Sequence, residues 1–273
     1  LRQQEEMWNF INSSRFVSTG NLLNTYVKAN IGLDYRKADE VIQALSAASS
    51  DNVYYNYPFF EYQAGIALLS KNDTACIAHF RQYIRNCKSG NYIKDSWQKT
   101  GYAYYLAGNM PQASYCREQA GLRGQAKLDE DKQAEKFADN NEWPSRQLLS
   151  ARLYIDGGYY SKAQAMLSSI DPATLTKPAD KAEYYFRQGR VYHESGNNTK
   201  AIEFYKYTIQ IAKDRHEQFA ARAALQAGLV YEHLGQKDNA ISMYNKCLDM
   251  PPHDFQNSID QQAKAGINRI EGR

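Results

Sequence analysis

A pattern that recurs at a nearly fixed interval constrains this chain more than any other feature. The segment Tyr185-x-x-Gln188-Gly189-x-x-Tyr192-x-x-x-Gly196 is followed by Ala201 and Tyr205. The segment Ala224-x-x-Ala227-Gly228-x-x-Tyr231-x-x-x-Gly235 is followed by Ala240 and Tyr244. The two align without a gap, 39 residues apart. A third copy runs through Trp97, Thr100, Gly101, Tyr104 and Gly108 to Ala113 and Ala120. A fourth runs through Ala151, Tyr154 and Gly158 to Ala163, Leu167 and Ile170. A weaker copy sets Phe60, Ala64 and Ala67 before the turn Lys71-Asn72-Asp73 and Phe80 and Tyr83 after it. A degenerate one runs from Leu23 through Gly32 to Ala38, Ile42 and Leu45. Self-similarity at this period is the mark of a stacked-repeat architecture.

The spacing within each unit predicts helix, short turn, helix, with small or apolar residues at helical intervals. Gly189 and Ala201 are expected where two antiparallel helices cross, letting the backbones approach to about 8 Å. Tyr192 and Tyr205 then fill the space on either side. Gly196 falls at the end of the first helix, where glycine takes a left-handed cap with least strain. One such hairpin cannot bury its apolar face alone, so neighbours must stack.

These residues resemble the tetratricopeptide repeat, whose 34-residue pattern is W-x2-L-G-x2-Y followed by Gly, Ala, Phe, Ala and Pro. Trp97, Gly101, Tyr104, Gly108, Ala113 and Ala120 match it, with Thr100 in place of its Leu and Arg117 in place of its Phe. Gly228, Tyr231, Gly235, Ala240, Tyr244 and Pro252 match the later positions, with Cys247 replacing the second Ala. The resemblance implies an all-α fold: a right-handed solenoid, or superhelix, of about six helix-turn-helix pairs. A capping helix is expected over Asp254 to Ile270. The expected division is N-terminal helices with a degenerate repeat over 1–57, repeats over 58–122, an inserted or extended helix over 123–142, repeats over 143–252, and the cap and tail over 253–273.

The intervals depart from 34. Steps of 38 and 39 lengthen a helix by about one turn. The step from Gly101 to Ala151 is 50 and contains extra sequence from Gly124 to Asn141. Leu128 to Ala138 reads there as a helix, ended by Asp139-Asn140-Asn141 and Trp143-Pro144. Its acidic run is expected to face solvent.

Little in the chain points to chemistry. There are 33 Lys+Arg against 30 Asp+Glu, a net +3, which argues against a nucleic-acid footprint. No stretch approaches the roughly 18 apolar residues of a membrane span. Cys76, Cys87, Cys116 and Cys247 form no CxxC pair and read as buried thiols. The histidines (His79, His193, His216, His233, His253) do not cluster, so no metal site and no cofactor are expected. P-loop, GxGxxG and GxSxG motifs are absent, and His193-Glu194 lacks the second histidine of HExxH. No catalytic residue is assigned, and the expectation is a non-enzymatic protein. The sequons Asn12-Ser13-Ser14, Asn72-Asp73-Thr74 and Asn197-Asn198-Thr199 suit turns by residue type alone. Ile270-Glu271-Gly272-Arg273 spells a protease-cleavage sequence and is set aside. The chain opens on Leu1 rather than Met. Its compartment stays open: cytoplasmic, or exported with a signal peptide absent from this stretch.

The resemblance also implies where a partner sits. In the family the first helix of each repeat lines a concave groove through its second, fifth, ninth, twelfth and thirteenth positions. Carried over, these positions hold Asp95, Gln98, Tyr102, Tyr105 and Leu106 in one repeat, and Ser145, Leu148, Arg152, Ile155 and Asp156 in the next. They hold Glu183, Phe186, Arg190, His193 and Glu194 in a third, and Arg222, Leu225, Leu229, Glu232 and His233 in a fourth. The expected partner-binding residues are Arg152, Arg190, Arg222, Phe186, His193, His233 and Tyr102. Three guanidinium groups along one groove would hold acidic side chains. Asp156 and Glu194 stand four residues after Arg152 and Arg190, so each arginine can equally be neutralised on its own helix. Family members that clamp chaperone tails place Lys and Asn at the fifth and ninth positions. Leu148/Arg152, Phe186/Arg190 and Leu225/Leu229 depart from that and suit an amphipathic or acidic-hydrophobic segment. The adjacent tyrosines Tyr54-Tyr55, Tyr159-Tyr160 and Tyr184-Tyr185 point about 100° apart on a helix, so one of each pair can face outward. The expected function is a scaffold binding a protein or peptide in the groove. A small-molecule or glycan sensor and a regulatory segment of a longer protein are the alternatives.

Overall fold

The computed structural model describes residues 2–13, 22–49, 57–140 and 142–272. Among the described residues the regular structure is helical throughout, an α-solenoid of consecutive helix pairs. Helix α1 (Arg2–Ile11) precedes the pairs α2 (Leu22–Asp34) and α3 (Ala38–Ser49), α4 (Pro58–Leu69) and α5 (Cys76–Asn86), and α6 (Ile93–Leu106) and α7 (Met110–Leu122). An added helix, α8 (Asp129–Asp139), follows. Then come α9 (Arg146–Asp156) and α10 (Tyr160–Ser168), α11 (Pro178–Glu194) and α12 (Asn198–Ala212), α13 (Phe219–His233) and α14 (Lys237–Leu248), and last α15 (Gln256–Glu271). The chain divides into two compact units. The first holds the residues up to Arg146 together with Leu153–Tyr159; the second holds Gln147–Arg152 and everything from Tyr160 onward.

In the second unit the small residues sit where the repeat predicts. A Cβ on Gly189 would lie 2.7 Å from the Tyr205 ring, and one on Gly228 would lie 2.5 Å from the Tyr244 ring. Each pair of helices therefore closes around an aromatic ring resting on bare backbone. Tyr205 and Tyr244 are both fully buried. Tyr192 stacks on Phe204, centroids 5.4 Å apart. Ala201, Ala224, Ala227 and Ala240 fill the rest of the seam at 0% exposure.

The turns follow from a Gly-Asn pair. Gly196 adopts φ +78°, a region that an L side chain enters only with strain. This lets the Asn197 N–H donate to the Tyr192 carbonyl at 2.9 Å, closing the helix end. The Asn197 side chain then accepts from the Lys200 N–H at 3.2 Å and caps α12. Asn109, after Gly108, does the same for α7 through the Gln112 N–H.

The expected capping helix is α15, and it closes on the repeat's own seam: Gly266 meets the other side of the Tyr244 ring at 2.5 Å, 38 residues after Gly228. Ile270 and Glu271 lie within α15, and Ile270 packs on the core. The acidic run of α8, expected to face solvent, does so only in part. Asp131 is 0% exposed because it caps α6 from outside that helix. Tyr54-Tyr55 and Ser14 of the first sequon lie outside the described residues.

Candidate functional site

Helices α11 and α13 carry five of the seven expected partner-binding residues, Phe186, Arg190, His193, Arg222 and His233, and nearly every charge on them is held. Glu183 Oε1 accepts from Arg187 Nε at 3.1 Å and Nη2 at 2.9 Å. Arg190 Nη2 donates to Glu194 Oε1 at 2.8 Å, and Tyr160 donates its hydroxyl to the other Glu194 oxygen at 3.3 Å. Arg190 and Glu194 side chains are only 10% and 13% exposed. The four-residue spacing that allows a local ion pair is thus realised at Arg190. Glu232 Oε1 and Oε2 accept from Arg269 Nε and Nη2 of α15, both at 3.0 Å.

The remaining candidates divide. Arg222 sits with its guanidinium 5.2 Å from the Phe255 ring, a cation–π distance. Arg152 is half-buried. His193 places Nδ1 3.3 Å from the Tyr205 hydroxyl, and His233 is exposed. Phe186 is a correction. It is 1% exposed, with centroids 6.1 Å from Tyr205 and 5.9 Å from Phe219, so its ring belongs to the core rather than to an open face. Leu148 and Leu225, at 0% and 3%, are buried likewise. Position five points into the helix seam here, and the apolar character assigned to the groove is largely core.

Tyr102 is the second correction. It is 8% exposed, accepts from Gln98 Nε2 at 3.0 Å, and lies against Phe137 of α8 and Trp143, centroids 5.1 and 6.5 Å away. The inserted segment covers it. Of the tyrosine pairs, Tyr184 is buried and accepts from Gln188. Tyr185 is half-buried against Tyr207, 4.4 Å between centroids. Pairing across repeats, as between Glu232 and Arg269, left no local spacing to find. Glu183 and Arg187, four residues apart, could have been read as a pair.

Among the described residues no three His, Cys, Asp or Glu side chains come together as metal ligands, and no helix is long and apolar enough to cross a membrane. An open hollow of about 830 Å³ lies on α14 beside the end of α12, bordered by Lys213, Asp214, Lys246 and Met250. It is separate from the α11 and α13 positions above.

Residues 180–252 match the tetratricopeptide repeat family model. Solved structures similar to the chain include the P58(IPK) TPR domain, at 14% identity over 95% of this chain and 69% of that one, TM-score 0.36. NprR in complex with its cognate peptide NprX is similar at 15% identity over 99% of this chain and 76% of that one, TM-score 0.39. No curated protein matches the chain. Residues 180–252, spanning α11 to α14, therefore carry tetratricopeptide repeats, and the same Gly-on-ring seam recurs outside that stretch, where Gly65 meets the Phe80 ring.

Proposed function

We propose that the chain is a non-enzymatic scaffold that holds an extended or helical segment of a protein partner along α11 and α13. The observation that supports this reading is the Arg190–Glu194 pair. A nearly buried ion pair contributes little to stability over an apolar pair of the same size, because both ions lose water. It sits at the ninth and thirteenth positions of its repeat, where the family resemblance puts the groove. A partner carboxylate can take the place of Glu194 in the arginine fork, keeping the charge paired throughout. Exposed His233 and the Arg222 guanidinium extend the same row of positions.

The test is a charge swap. Arg190→Glu/Glu194→Arg keeps the pair and its spacing but reverses its polarity. Proteins captured from native lysate by the wild-type chain and lost to the swapped chain, with helicity and melting unchanged, support the reading. A photo-cross-linker at position 233 should then label the captured protein, and one at Lys206 should not. If the swapped chain captures the same set, binding lies elsewhere on the molecule.

A further inference from the structure

The inner face of α6 is covered by α8, and the contacts that cover it are unusually polar. Asp131 of α8 is fully buried. Its Oδ2 accepts from the Tyr92 N–H at 2.7 Å and its Oδ1 from the Asp95 N–H at 3.1 Å. Tyr92, at the α6 N-cap, offers no side-chain cap of its own. A carboxylate from another helix thus satisfies the first turn of α6 and faces the positive end of its dipole. One turn further along α8, Glu135 Oε1 lies 3.1 Å from Lys94 Nζ. Lys94 is 4% exposed and donates as well to the Ala120 and Gly121 carbonyls at the end of α7, at 3.1 and 2.7 Å. Two residues on, the Phe137 ring enters a cage made by Tyr102, Trp143 and the guanidinium of Arg117, which is 5.7 Å from the ring centroid.

Helix α8 fits that face as a ligand fits a site. Its partners are the α6 N-terminus, the buried Lys94 ammonium of α6, and a cage of Tyr102 from α6, Arg117 from α7 and Trp143 from the segment after α8, which together read carboxylate, carboxylate four residues on, aromatic two residues later. Its other side, Asp129, Glu130, Lys132 and Lys136, is exposed. Eleven residues of this composition cannot hold a helix in water alone, so α8 is helical because of what it rests on. The covered residues Asp95 and Tyr102 are positions two and nine of their repeat, the same positions that carry the proposed site on α11 and α13.

We propose that the inner face of α6 is a recognition site for an acidic amphipathic helix of this pattern, and that α8 is an internal pseudo-ligand occupying it. A partner helix bearing the same three groups binds α6 only when α8 is displaced. The tether gives α8 a millimolar effective concentration, which excludes weak competitors. This inference is independent of the α11–α13 reading, because every residue in it belongs to the first unit.

The probe is a fluorescein-labelled peptide with the sequence of residues 127–140, added to the full chain. Asp131→Ala/Phe137→Ala should free α8: hydrogen exchange should show α8 amides opening while α6 and α7 stay protected. That variant should then bind the wild-type peptide more than about tenfold tighter than the unaltered chain does, and about tenfold tighter than it binds a peptide carrying the same two substitutions. If the double variant loses protection in α6, Phe137→Ala alone is used with the same readouts. Three results overturn the proposal: α8 opens and no peptide binds, the substituted peptide binds as well as the wild-type one, or α8 stays protected when its named contacts are gone. Loss of α6 protection in both variants also overturns it, because α8 would then be a structural member and not a displaceable ligand.

Discussion

Tyr244 donates its hydroxyl to Glu232 Oε2 at 2.6 Å across the α13–α14 hairpin. The bond ties a fully buried ring to a surface ion pair, because the same carboxylate accepts both donors of Arg269 from α15. Burial pushes the Glu232 carboxyl upward, but hydrogen bonds and charge from Arg269, with the Tyr244 hydroxyl, outweigh it and hold the group below the usual glutamate range. A carboxyl depressed in the folded state adds stability above its unfolded value of about 4.3, lost as pH falls through the folded value. Glu232→Gln should therefore narrow the stability gap between pH 7 and pH 3. Arg269 is half exposed, so the difference should stay within about 1 kcal/mol. Denaturant midpoints at several pH values check this; an equal acid loss in both proteins would show that the triad does not couple to folding.

The Tyr244 ring is gripped on both sides, nearest its Cδ1 and Cε1 by Gly228 and nearest its Cε2 and Cζ by Gly266. Alanine favours a helix interior by about 1 kcal/mol over glycine. Gly228→Ala should nevertheless destabilise by about 1–3 kcal/mol, because the ring has no free side toward which to move. Adding Tyr244→Leu should recover part of the loss, a coupling that a double-mutant cycle measures. Simple additivity would mean that the ring shifts freely.

The Gly-Tyr seam was legible because it combines two signals at one interval, a small residue and a large ring. Gly266 carries only half of that signal. The residue three positions after it is Arg269, where Tyr192 and Tyr231 follow Gly189 and Gly228. Arg269 spends its side chain on Glu232 instead of on a seam, so the ring signal is missing. The Arg190–Glu194 pair was legible from four-residue spacing. Asp131 was not, since a capping acid that acts on a different helix leaves no mark at short range. Phe186 and Tyr102 were assigned to the groove by register. Register gives the angle of a side chain about its helix but not what a neighbouring helix lays over it.

The turn asparagines should each be worth a helix cap. Asn197→Ala and Asn109→Ala remove the acceptors of the Lys200 and Gln112 N–H groups and should each cost about 1 kcal/mol. Replacement by Asp should be close to neutral, because its carboxylate caps equally well and faces a helix N-terminus. Thermal melts of the four variants decide the matter. An alanine variant that melts with the wild type would assign the turn's stability to Gly196 and Gly108 alone.

The four thiols should react at very different rates in the folded chain. Burial pushes Cys76 and Cys247 up to about 12 and Cys116 up to about 11, and all three side chains lie in the core. Cys87 is half-buried at the end of α5, with Sγ 3.3 Å from the Tyr83 hydroxyl and 3.4 Å from Ser89 Oγ. Burial raises its pKa, but its hydrogen bonds with the Ser89 and Tyr83 hydroxyls and those from the Ser89 and Gly90 N–H groups outweigh that and lower it. The thiolate is the reactive form, so at pH 7 a maleimide should label one thiol per chain quickly and the other three only on unfolding. Cys87→Ser should abolish the fast phase. Ser89→Ala should slow it, by removing a donor to the thiolate without touching the sulfur. Rapid labelling that survives Cys87→Ser would place the reactive thiol elsewhere and show that a core helix opens in the native state.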